Sequence, residues 1–112
     1  MTDETFELAL LDWGQVLELV VVSQGMVVEL ARVIETERVY QVTGIVRAVA
    51  SPVVGEAVGV GETLGISVRV RSRELPVCEA GEVMLVRWLG ERYRVAGLRV
   101  GETFVVLEAW KT

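Results

Sequence analysis

Positive charge in this chain comes from ten arginines and one lysine, and histidine and asparagine are absent. Without histidine the usual general base is missing, and Ser-His dyads and His-bearing zinc sites are excluded. One cysteine, Cys78, can build neither a thiolate zinc site nor an internal disulfide, and it reads as a small semi-buried residue in a reducing compartment. The only aspartates are Asp3 and Asp12, and the glutamates mostly follow a glycine at a turn. Gly59, Gly61 and Gly65 lack the spacing of a dinucleotide fingerprint. No catalytic residue, metal ligand or cofactor is assigned, no small-molecule substrate is expected, and the chain reads as a non-enzyme.

The arginines form the one constellation that points to a ligand. Over Leu64 to Arg73 the residues alternate, so that Ile66, Val68 and Val70 point one way and Arg69, Arg71 and Arg73 the other. Arg87, Trp88, Arg92, Tyr93, Arg94 and Arg99 follow in the next hairpin. Arginines for phosphate and a ring for base stacking are what a groove for single-stranded nucleic acid uses. The plainer arrangement is an exterior face where Arg pairs with Glu across strands, with Trp88 and Tyr93 in the core. Strand parity favours the plainer one, since Trp88 shares a face with Met84 and Val86, and Tyr93 with Val95.

The elements that position these residues are strands. Gly-Glu pairs at Gly61-Glu62, Gly81-Glu82 and Gly101-Glu102 each open an apolar or alternating segment, twenty residues apart. That interval is about one hairpin with its connection. Phe6 to Leu11 is a short apolar segment ending in a turn signal at Asp12-Trp13-Gly14. Met26 to Thr36 fits either one face of a helix or a strand; its β-branched density favours the strand, with a turn at Gln24-Gly25 that sets Val21 opposite Val28 and Leu19 opposite Leu30. A second hairpin is expected about Thr36-Glu37, then a long strand Val39 to Ala50 whose Gly44 marks a barrel corner. Ser72 to Glu74 reads as a turn, Leu75 to Cys78 as an edge strand marked by Pro76, and Gly90-Glu91 as a glycine-first hairpin turn.

At 112 residues the chain is one β domain with an acidic N-terminal segment over 1–14. The expectation is an all-β fold, a small antiparallel β-barrel or sandwich of about seven to nine strands. The net charge of −5 is an N-terminal property: five of the sixteen acidic groups precede residue 19 with no basic group among them, leaving eleven against eleven. Hydrophobic residues make up 52% of the chain and the mean hydropathy is +0.46, more apolar than a small monomer hides, which points to a homo-oligomer or a protein partner. The apolar loop from Ser51 to Gly61 supplies candidate oligomer contacts at Val53, Val54, Val58 and Val60. Lacking a secretory or membrane-spanning segment, the chain is expected in the cytoplasm, or in a virion or large intracellular assembly, with no membrane partner. Scarce lysine and absent asparagine give the composition a thermophile-like cast.

The long glycine-kinked strand Val39 to Ala50, the apolar hairpin after it and the Gly-Glu before a terminal strand resemble an oligonucleotide/oligosaccharide-binding (OB) barrel, over residues 39 to 110. The resemblance implies an open five-stranded barrel of the kind found in single-stranded-DNA-binding proteins, often oligomeric. It transfers no binding residue, and the helix that family carries between its third and fourth strands has no match in this sequence. Two functions follow: a self-associating structural subunit of a larger assembly, or a single-stranded nucleic-acid-binding protein using the arginine face.

Overall fold

The computed structural model describes residues 3–27, 32–51 and 63–112. A helix, α1 (Asp3–Trp13), leads into six strands: β1 (Gln15–Val27), β2 (Arg32–Ser51), β3 (Thr63–Arg71), β4 (Val83–Trp88), β5 (Glu91–Val100) and β6 (Phe104–Lys111). All neighbours are antiparallel, and the sheet closes on itself in the order β1-β2-β3-β6-β5-β4. The small β-barrel is thus the fold, with six strands among the described residues where seven to nine were expected. It is fully closed, whereas the resemblance implied five strands and a partly open barrel. None of the described helices is long and apolar enough to cross a membrane.

The missing strands are turns that do not exist. β1 and β2 pair without interruption from Gln15↔Gly44 to Val27↔Arg32, so Gln24-Gly25 lies opposite Glu35-Ile34, and Thr36-Glu37 opposite Ser23-Val22. Leu19 therefore faces Tyr40 and Val21 faces Arg38. The strand assignment of Met26 to Thr36 holds for its described residues, while 28–31 lie outside them. A glycine supplies turn freedom only where the ladder requires it, and long β-branched runs on both sides keep this pair extended. Leu75 to Cys78 is likewise no strand; its loop is tied to β2 by Arg38, whose Nη2 donates to Val77 O at 3.2 Å and to Glu82 Oε1 at 3.0 Å.

Several expectations are met. β3, β4 and β6 begin at Thr63, Val83 and Phe104, one or two residues after each Gly-Glu pair. Ser72–Glu74 is a single 3₁₀ turn. Gly44 is the barrel corner, the residue at which β2 leaves β1 and takes up β3. A Cβ there would lie 3.0 Å from Arg69 O, Val68 Cγ1 and Val70 Cγ1. The β4–β5 turn differs: its two residues are Leu89 (φ 51°) and Gly90 (φ 78°), so both central positions have positive φ, as in a type I′ turn, and Glu91 already belongs to β5.

Alternate residues fill the barrel. Leu17, Leu19 and Val21 from β1 meet Ile66, Val68 and Val70 from β3, Met84 and Val86 from β4, Tyr93 from β5, and Val105, Leu107 and Ala109 from β6. Each large buried side chain contributes about 1.5–3 kcal/mol, enough to hold a small domain without disulfide or metal. β4 pairs with β5 only as far as Arg94, so Leu98 and Val100 share the inward parity and yet stay 48% and 71% exposed.

The N-terminal segment is a helix rather than an irregular apolar stretch. Glu4 sits in its first turn, where a carboxylate favours the helix dipole, and Phe6 and Leu10 at i, i+4 make one buried stripe. Gly14 N–H closes its end on Leu10 O at 2.9 Å. Phe6 stacks on Phe104 of β6 with centroids 4.9 Å apart, which fixes α1 over the end of β3 and β6.

Candidate functional site

Strand register places one arginine-rich surface on the outer face of β2, β3, β6 and β5. Across these four strands runs Ile45–Arg69–Val106–Arg99, then Arg47–Ser67–Glu108–Gly97, then Val49–Gly65–Trp110–Arg94. Ser67, Gly65 and Gly97 leave room between the arginines, Glu108 stands in the centre, and Trp110 lies over the backbone of Gly65, where an added Cβ would collide with its ring. The surface forms a groove of about 620 Å³ lined by Ile45, Arg47, Val49, Ser67, Arg69, Arg99, Val106, Glu108 and Trp110. It continues past Arg69 and Arg99 into a recess reaching Phe104.

A bulge makes the arrangement. Arg94 and Arg99 are an odd number of residues apart and would point to opposite faces of a regular strand. The register shift between Val95 and Gly97 restores them to one face. Arg69 holds its guanidinium carbon 5.6 Å from the Phe104 ring centroid, a cation–π contact. Arg99 pairs with Glu108 at 3.4 Å. Arg47 and Arg69 have no carboxylate partner among the described residues. Among the described residues the groove therefore offers two arginines without a carboxylate partner, beside the Arg99–Glu108 pair and apolar and aromatic side chains, chemistry suited to carboxylates or phosphates attached to an apolar or planar body.

The eight residues singled out from the sequence do not share one site. Arg69 lines the groove, and Arg94 stands opposite Trp110 while facing a second recess of about 270 Å³ shared with Cys78 and Leu98. Arg71 is a clamp: its Nε and Nη2 donate to Glu7 at 2.6 and 2.8 Å, and its Nη1 to Glu74 at 2.7 Å. These bonds raise the Arg71 pKa, and the same hydrogen bonds hold the Glu7 carboxyl below its ordinary value. Arg73 is not on the strand row at all; it belongs to the 3₁₀ turn beyond β3. Arg87 and Arg92 lie on the far side of the barrel, where Arg87 is 3.6 Å from Glu18 and 3.8 Å from Glu37, and Arg92 is 4.0 Å from Glu37. This is the cross-strand Arg-Glu pairing anticipated for an exterior face.

Trp88 and Tyr93 turn inward. Tyr93 is 7% exposed and belongs to the core, and Trp88 packs against that core with its indole N–H donating to Gln15 Oε1 at 2.9 Å. The rings that border the groove are Trp110 and Phe104, which the sequence reading passed over along with Arg47. Their signal was available in β6, where Phe104, Val106, Glu108 and Trp110 share one parity, but the bulge that adds Arg99 has no such signature. Val53, Val54, Val58 and Val60 lie outside the described residues.

A second surface was not anticipated. Leu8, Leu11 and Trp13 of α1 are 58%, 82% and 71% exposed, and Val16 at the start of β1 is 63% exposed. Neither protein-family models nor curated proteins match the chain, which leaves its chemistry and surfaces as the guide to function.

Proposed function

We propose that this protein is a non-enzymatic subunit that acts by associating with copies of itself in a larger assembly. The observation that carries this reading is that α1 is apolar on both sides. Its inner stripe, Phe6 and Leu10, is buried on the barrel, and its outer face presents Leu8 and Leu11 to solvent. A helix that buries one apolar stripe and presents large apolar side chains on its outer face has a second surface to cover. A small monomer seldom leaves large apolar side chains grouped on its surface, and each is worth about 1.5–3 kcal/mol when buried. Light scattering across a concentration series tests the reading: mass should rise above 12.3 kDa and fall back when Leu8 and Leu11 become glutamate. A monomer at high micromolar concentration contradicts it.

A second reading is supported by the groove, where Arg47 and Arg69, without carboxylate partners among the described residues, stand beside Trp110 and Phe104. This is a surface on which single-stranded nucleic acid can lay phosphates on arginine and bases on rings. Affinity for a labelled oligonucleotide would then fall with salt, with a slope near −0.7 per phosphate contact. It would be lost in Arg47→Ala/Arg69→Ala.

A further inference from the structure

We infer that the groove of one protomer receives the outer face of α1 from a second copy, so that the chain assembles head to tail. This rests on the self-association reading and names the surfaces that carry it. On a helix, Glu4, Leu8, Leu11 and Asp12 fall within a quarter-turn or so of one another, two carboxylates flanking two leucines. All four are exposed, and no basic residue precedes Arg32. The groove is the complement. Among the described residues Arg47 and Arg69 lack carboxylate partners, while Ile45, Val106 and Trp110 give the groove apolar ground beside the Arg99–Glu108 pair.

Dimensions agree. From β2 to β5 the groove spans three strand spacings, about 14 Å, and a helix with its side chains is about 10–12 Å across. An amphipathic helix laid in such a trough is a recurrent mode of recognition, with leucines on the floor and carboxylates on the rim. The chain cannot satisfy itself. Phe6 and Leu10 hold the opposite face of α1 on its own barrel, and Glu7 is clamped to Arg71, so the outer face of α1 looks away from the molecule that carries it. Two complementary patches at different places on one subunit make a heterologous contact, which closes into a ring or continues as a filament.

The test uses sedimentation velocity with two full-length variants, Arg47→Glu/Arg69→Glu (groove) and Glu4→Arg/Asp12→Arg (helix). Each should associate about tenfold or more weakly than the parent, since like charges would face each other. Mixed together they should assemble again in alternation, because the intact helix of one fits the intact groove of the other and the reversed helix fits the reversed groove. A chain carrying all four changes should recover assembly, which separates charge pairing from misfolding. Parent-like association by both variants overturns this inference while leaving self-association intact; a monomeric parent overturns both. If the groove variant assembles normally but loses affinity for a labelled oligonucleotide that the parent binds, the groove serves nucleic acid and the inference is wrong.

Discussion

Two residues set local energetics that can be measured. The Glu7–Arg71 pair is doubly hydrogen-bonded, and it holds the Glu7 carboxyl below its usual 4.5. A carboxyl depressed in the folded state binds fewer protons there than in the unfolded chain. Its contribution is therefore complete above the ordinary value and lost as pH falls through the depressed one. The stability gap between the parent and Glu7→Gln should be present at pH 7 and shrink progressively below about pH 4.5; thermal melts across pH 3–7 check this, and a gap that is constant with pH refutes it. Leu89 is the converse case. It holds φ 51° with its side chain 77% exposed, so it bears left-handed strain of about 1–2 kcal/mol without packing in return. Leu89→Asn should raise the urea midpoint by an amount equivalent to about 1 kcal/mol; a lower midpoint would show that the leucine contributes contacts beyond those in the monomer.

At the scale of elements, α1 is the part whose role is most open to attack. Phe6 is fully buried although it lies outside the barrel core, against the outward-facing Phe104. Phe6→Ala should therefore lower stability by about 3–5 kcal/mol while the barrel keeps its strand signal in far-ultraviolet circular dichroism. A loss below about 1 kcal/mol would mean that α1 is not docked as described. The helix was hidden in the sequence because only Phe6 and Leu10 face inward, while Leu8 and Leu11 outside blur the period. The strands were legible for the opposite reason: Ile66, Val68 and Val70 against Arg69 and Arg71 alternate without a break. Turn positions were less so. Gly25 lies inside a continuous ladder, because pairing of thirteen residues on each side outweighs one glycine's freedom, and the Ala96-Gly97 bulge that gathers the groove arginines leaves no mark in residue types.

For the whole molecule, the uneven charge is the feature that joins surface to function. Acidic groups collect on α1, and arginines without carboxylate partners among the described residues collect on the outer face of β2 and β3. Closure of the six strands hides most backbone edges, so association falls to side chains on α1 and in the groove rather than to strand addition. Contacts built on exposed charge weaken as salt screens them beyond about 10 Å at 0.1 M, and those built on leucines do not. The most direct measurement is sedimentation velocity of the unmodified chain from low to high micromolar concentration, beside Leu8→Glu/Leu11→Glu. Self-association through α1 predicts a sedimentation coefficient that climbs with concentration for the parent and stays at that of a 12.3 kDa monomer for the variant. A parent that remains monomeric throughout, or a variant that associates as well as the parent, contradicts it.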